Sequence, residues 1–443
     1  MFRRVLSVFT NQIFVYVLQM VAGILSARLL GPEQRGAAVV ALLIATLVSS
    51  LAHLGMPGAL IYNLSRSDKN QNALAEAIGV SIGLTPVMIA VILVSYLLAY
   101  QYGHNSLLRG LPSALVLSSF ILCLISLLNT LVVNMLTGLQ DYRWRNFLSL
   151  WTPLMIAIIL FCFWASHLTL TVSVFIWARI LAMTLGVLLG TTHMIRVYRP
   201  ALRLQLPAGW RQDYVGYGMK SYIAMIAQNL NYRLDTLLLN ALMGNKAVGL
   251  YSAGVATAEL LLFTPNAVSL VLYPTIASVR KQERDRIALL SLGSSLYLVL
   301  GTGILMSLLT RWLIPLFYGQ AFASAIPAAQ WLLPGMLALT IVKTLSVVVS
   351  GLGRPEYMTY GILVGLLGTT VLDFLLIPHF GIIGAAWASS LAYWLAAATL
   401  FILYVRLSKA SPTAFVRGLL IEPVVWSRRR WNKRLANVRT IAG

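Results

Sequence analysis

Apolar positions along this chain come in long unbroken runs divided by short polar stretches. The runs lie at roughly 8–30, 36–60, 75–100, 112–138, 147–166, 169–192, 217–242, 247–276, 287–310, 327–352, 357–377 and 382–405. Most reach about 20 residues, enough to cross a bilayer core as helix. The ten-residue alternating segments of a membrane β-barrel are absent. The pattern predicts an all-α polytopic membrane protein of about twelve transmembrane helices. The first run carries Gln12, Tyr16 and Gln19 and continues far past signal-peptide length, so it reads as a permanent helix rather than a cleaved leader.

The runs also repeat. Leu30-Gly31-Pro32-Glu33-Gln34-Arg35-Gly36 returns 213 residues later as Met243-Gly244-Asn245-Lys246-Ala247-Val248-Gly249, with both glycines in register. Gly138-Leu139 returns at the same offset as Gly351-Leu352, and Trp177-Ala178 is echoed by Trp387-Ala388 at an offset of 210. An offset near half the chain length predicts two pseudo-symmetric six-helix lobes: 1–212 with a cytoplasmic linker, 213–406, and then a basic tail over 407–443. With an even number of spans in each half, both lobes enter the membrane in the same sense, so the axis relating them runs along the membrane normal.

Because most spans are apolar all round, polar residues inside them carry the information. In the first helix Gln12, Tyr16, Gln19, Gly23 and Ser26 share one face, at spacings of three and four. In the seventh, Asn229, Arg233, Thr236 and Asn240 do the same. Shifted by the repeat offset, the two stripes coincide within about one residue. Arg233, Asn229, Asn240, Gln12, Tyr16 and Gln19 are therefore the expected lining of a shared polar cavity. A second line in the seventh helix, Gln228, Asn231 and Asp235, points elsewhere. Asp235 is two residues from Arg233 and cannot pair with it along the helix. Arg179, Glu259, Lys343 and Asp373 are the other charges within spans. A charge at the bilayer centre costs on the order of 2.5–3.5 kcal/mol on insertion scales, so each needs a cavity or a partner. Charge coupling and structural pairing between helices are both open for this set.

Composition agrees with a lipid-solvated chain. Of its 443 residues 59% are hydrophobic and only 10% charged, with a mean hydropathy of +0.82. The net charge of +21 would suggest nucleic acid in a soluble protein. Its distribution excludes that reading, because most of the 33 Lys and Arg fall on one set of loops and in the tail. Arg28, Arg35, Arg109, Lys246 and Arg311 are those assigned to outer loops or helix ends. The asymmetry predicts cytoplasmic termini. In the tail, Trp426-Ser427-Arg428-Arg429-Arg430-Trp431 suits anionic lipid or simply secures topology. Cys123, Cys162 and five scattered histidines offer no disulfide framework and no metal site.

Ser26-Ala27-Arg28-Leu29-Leu30-Gly31-Pro32-Glu33-Gln34-Arg35-Gly36 resembles the first-hairpin signature of bacterial polysaccharide transporters, the O-antigen and exopolysaccharide flippases of the multidrug/oligosaccharidyl-lipid/polysaccharide exporter superfamily. Tyr232-Arg233-Leu234-Asp235, Val248-Gly249-Leu250-Tyr251-Ser252-Ala253, Tyr273-Pro274-Thr275-Ile276-Ala277, Gly351-Leu352-Gly353-Arg354-Pro355 and Gly381-Ile382-Ile383-Gly384-Ala385-Ala386 are similar to that family too. The resemblance implies two six-helix lobes around a cavity that opens alternately to either side of a bacterial inner membrane. It implies as cargo an oligosaccharide on a polyprenyl pyrophosphate, with membrane lipids and glycan assembly enzymes as partners and no cofactor. Arginine suits the pyrophosphate because its forked donors match phosphate oxygens.

Two other readings compete. A multidrug or cation antiporter of the same superfamily would carry buried acids in its first half, where here only Glu76 stands, at a helix end. A glycan polymerase or ligase would need a large extramembrane loop, and none is apparent. An ATP-driven pump is disfavoured, since this sequence holds no Gly-x-x-x-x-Gly-Lys-[Ser/Thr] loop. The chain is expected not to be an enzyme.

Overall fold

The computed structural model describes residues 2–66, 71–103, 108–199, 209–278 and 281–408. The tail expectations fall on 409–443 and lie outside the described residues, as does most of the loop between the sixth and seventh spans. Among the described residues the protein is helical and has no strand. In chain order the helices are α1 Phe2–Ala52, α2 Met56–Arg66, α3 Gln71–Leu98, α4 Ser113–Gly138, α5 Tyr142–Ala165, α6 Val172–Tyr198, α7 Tyr217–Asn231, α8 Leu234–Met243, α9 Asn245–Ala258, α10 Phe263–Ser278, α11 Lys281–Tyr318, α12 Ile326–Gly351 and α13 Glu356–Ser408.

Nine stretches among the described residues are long and apolar enough to cross a membrane. Two of them, Thr10–Ala52 and Glu356–Ser408, have 43 and 53 residues. At about 1.5 Å per residue each exceeds twice the roughly 30 Å of a hydrocarbon core. Both break at a glycine with positive φ, Gly31 (φ 68, ψ 174) and Gly381 (φ 56, ψ −131), so each supplies two spans. The broken pair α7–α8 completes the twelve.

The repeat is visible in backbone geometry. Gly244, the counterpart of Gly31, holds φ 80 and ψ 180 between α8 and α9. Only glycine takes this combination without strain. Pro32 and Asn245 then open the following helical segments, and a proline at a helix start loses no hydrogen bond. The ends of α4 and α12 also match. Leu139 N–H donates to Met135 O, Gln140 N–H to Thr137 O and Asp141 N–H to Leu136 O, at 2.9, 3.0 and 2.9 Å. Leu352, Gly353 and Arg354 repeat these bonds to Val348, Ser350 and Val349 at the same three distances.

The chain divides into two compact units. One runs to Ala253 and also takes in Pro315–Ser324; the other comprises Gly254–Ile314 and the chain from Ala325 onward. In the first, α1 packs against α4, α5 and α6, and α4 packs against α6. In the second, α12 packs against α10 and α13. Tyr404 on α13 ties back to α11 by donating to Asp285 Oδ1 at 3.0 Å.

The seventh span departs from the continuous helix expected over 217–242. It breaks at Tyr232–Arg233, where Arg233 has φ −135 and ψ −10. Asp235 holds the restart: its Oδ1 accepts the Thr236 N–H at 2.6 Å and its Oδ2 accepts the Tyr251 hydroxyl at 2.7 Å. A carboxylate in the first turn also suits the positive end of the α8 dipole.

Candidate functional site

A cavity of about 360 Å³ opens inside the first unit, among α1, α4, α5 and α6. Its polar lining is Gln19, Ser26, Arg35, Asn129, Ser149, Thr152 and Arg179, and among the described residues no carboxylate is in its wall. The sequence builds the space locally. At Gly23 nothing lies within 4 Å of where a Cβ would stand. On α5, Pro153 has no N–H to return to the Ser149 carbonyl, which opens the helical ladder at the wall. Asn11 Nδ2 donates to Ser149 Oγ at 2.7 Å and holds α1 against α5.

The two arginines differ in what surrounds them. Arg35 is only 7% exposed. Its Nε donates to Ser252 Oγ at 3.0 Å, and its Nη1 donates to Ser26 Oγ at 3.2 Å and to the Gly23 carbonyl. Its guanidinium carbon lies 5.4 Å from the Tyr318 ring centre, a cation–π distance. Arg35 is thus a fixed charge on a hydrogen-bonded mount. Half-buried Arg179, on α6, makes no hydrogen bond or ion pair among the described residues. It is the cation with donors to spare.

From the residues singled out in the sequence, the cavity brings together Gln19, Gly23 and Ser26 of the first polar face with Arg179. Gln12 and Tyr16 are half-buried on the same helix and outside its lining. Arg233 is exposed at the break between α7 and α8, and Asn229 is half-buried near the end of α7. Asn240 is fully buried and donates to the Arg109 carbonyl at 3.4 Å. Asp235, 4% exposed, serves Thr236 and Tyr251. In the second unit, exposed Glu259 and half-buried Lys343 attract each other, and Asp373 is fully buried in α13.

Arg35 is the site residue that sequence reasoning placed elsewhere, on an outer loop or helix end. The hairpin turn occupies little more than Gly31, so the helix restarts at once and Arg35 stands a turn inside it. Its signal was its place in the repeated hairpin motif. Arg28, assigned with it to the outer loops or helix ends, caps the end of α11: its Nε donates to the Phe317 carbonyl at 2.8 Å and its Nη2 to the Leu316 carbonyl.

The profile of the polysaccharide biosynthesis protein family matches residues 24–327. An uncharacterised membrane protein of Methanocaldococcus jannaschii is 29% identical over 191 residues, which is 42% of this chain and 37% of that protein. The match therefore spans little more than a third of the archaeal chain. Among solved structures, the lipid II flippase MurJ in an inward closed conformation is similar with a TM-score of 0.71 at 15% identity, over 93% of this chain and 90% of that one. An inward-facing multidrug resistance MATE family transporter of the MOP superfamily gives 0.71 at 14% identity, over 90% and 96%. A MOP superfamily transporter from Pyrococcus furiosus, described by the reverse polarity of its binding pocket, gives 0.59 at 13% identity, over 92% and 96%. At these identities the likeness is one of fold.

Proposed function

The chain belongs to the polysaccharide biosynthesis protein family, and from that premise we propose that it is a flippase for a lipid-linked glycan. Its cargo is an oligosaccharide on a polyprenyl pyrophosphate, carried from the cytoplasmic to the outer leaflet by alternating access. The observation that carries this reading is the polarity of the cavity: two guanidiniums in its wall and, among the described residues, no carboxylate. A cationic drug entering such a space meets like charge in a medium that screens poorly. A diphosphate meets forked donors that match its oxygens. About 360 Å³ lies near the lower end of ligand pockets, so the space suits a charged headgroup rather than a whole oligosaccharide. Gln19, Ser26 and Asn129 supply neutral donors and acceptors beside it. Arg233, exposed at the helix break, is a second cationic contact for the cargo outside the cavity, with Asn229 nearby in sequence. The setting is a bacterial inner membrane with both termini cytoplasmic, and the glycan assembly enzymes supply the cargo.

Glycan export in cells lacking their own copy tests the reading. Arg179→Ala should cut export at least tenfold with membrane abundance near normal, because Arg179 leaves no partner stranded. Arg179→Lys should recover part of it. Full export by Arg179→Ala, or efflux of cationic dyes by the intact protein, overturns the assignment in favour of a drug antiporter.

A further inference from the structure

Two guanidiniums sharing a cavity inside a membrane protein, with no carboxylate in its wall among the described residues, are a charge imbalance that those residues do not cancel. Arg35 is solvated by a carbonyl, two hydroxyls and an aromatic face, all neutral. Arg179 is not solvated even to that extent. Buried charges are normally paired or hydrogen-bonded, and Arg179 lacks both among the described residues. The wall is furnished for one kind of occupant. Asn129, Thr152 and Gln19 are neutral groups that can donate to an anion, while the Ser26 and Ser149 hydroxyls already donate to the Gly23 and Asn146 carbonyls, and Gly23 leaves the anion room.

We propose that this cavity is a binding site for a small free inorganic anion, of the chloride or phosphate class, which serves as counter-ion to Arg35 and Arg179 when no glycan lipid is bound. Arg35, locked by its three hydrogen bonds, sets the position of the site. Arg179, with all its donors available, makes the direct contact. The link to transport rests on the flippase reading: a cargo diphosphate carries the same chemistry and displaces the free anion, so anion and headgroup exchange at one place. Either anion then offsets the charge of the two guanidiniums, a divalent phosphate or diphosphate more fully than a single chloride.

The test uses the purified full-length chain in detergent, without glycan lipid, with thermal unfolding followed in sodium gluconate, sodium chloride or sodium phosphate at equal ionic strength and pH. Chloride or phosphate should raise the unfolding midpoint saturably, by a few °C at about a hundred times the dissociation constant. Arg179→Gln should unfold in gluconate at or above the wild-type midpoint, since it removes an unpaired charge, and should lose the anion response. Identical midpoints in the three salts, or an undiminished response in Arg179→Gln, overturn the proposal. A second arm adds undecaprenyl pyrophosphate. If it raises the chloride concentration needed for half the effect, the two anions share the site. If the chloride response is present and indifferent to that lipid, the free-anion site stands and the placement of the cargo headgroup in this cavity fails.

Discussion

Gly36 and Gly249 meet at a crossing of backbones: a Cβ on Gly36 would overlap the Asn245 carbonyl, and a Cβ on Gly249 would overlap the Pro32 carbonyl. Pro32 and Asn245 are separated by the same 213 residues as the two glycines. One contact is thus made twice, in opposite senses, by equivalent atoms of two repeated hairpins, both within the first compact unit.

Gly36→Ala and Gly249→Ala should each lower stability by about 1–3 kcal/mol or more, since backbone must move to admit the methyl group. The double variant should cost clearly less than the sum, because both substitutions pry apart one crossing. Thermal unfolding of the four proteins in detergent measures this, and strict additivity would show that the glycines pack independently.

Arg233→Ala should reduce glycan export while leaving abundance in the membrane near normal, because an exposed side chain leaves no buried partner behind. Arg233→Lys should recover part of the activity, keeping the charge and losing the fork. Unchanged export by Arg233→Ala would remove this residue from the cargo path.

Tyr251→Phe should destabilise the protein by roughly 1.5–3 kcal/mol, the range for losing a hydrogen bond to a charged group, since Asp235 Oδ2 is buried with that hydroxyl. Unfolding midpoints of wild type and variant decide it. A shift below about half a kcal/mol would mean that water replaces the hydroxyl at this carboxylate.

Asp141 is the side-chain cap of α5, accepting the Trp144 N–H at 3.3 Å, and it also holds His193 Nε2 at 2.8 Å and the Tyr198 hydroxyl at 3.2 Å. Asp141→Ala should cost about 0.5–2 kcal/mol for the cap alone, with the loss of His193 and Tyr198 adding to it. Asp141→Asn should restore most of the cap and less of the histidine contact. Equal unfolding midpoints for the alanine and asparagine variants would exclude the capping account.

Much of this fold was legible because membrane helices advertise themselves by length and because the hairpin turn demands glycine. Gly31 and Gly244 recur in register for one physical reason, a positive φ next to an extended ψ, and so the repeat survived in sequence where side chains drifted. The break at Tyr232–Arg233 was not legible, as neither proline nor glycine marks it and the polar periodicity runs straight through. The cavity was half legible. Gln19 and Arg179 stood out as polar residues in apolar spans, but their meeting depends on how α1, α5 and α6 pack, which no single-helix pattern encodes. Arg35 was placed at a helix end but not in the cavity, because its burial depends on how that first turn packs, which the sequence of the hairpin does not encode.

The Arg28 contact sets an order of events at the ribosome. Its acceptor Phe317 lies 289 residues further along the chain, and the first compact unit is incomplete without Pro315–Ser324. At synthesis rates of about 5–20 residues per second, the first hairpin waits roughly 15–60 s for that segment to emerge. A nascent chain arrested before Pro315 therefore holds Arg28 without the two α11 carbonyls that will receive it, and the first hairpin must keep its place by its own contacts until they emerge.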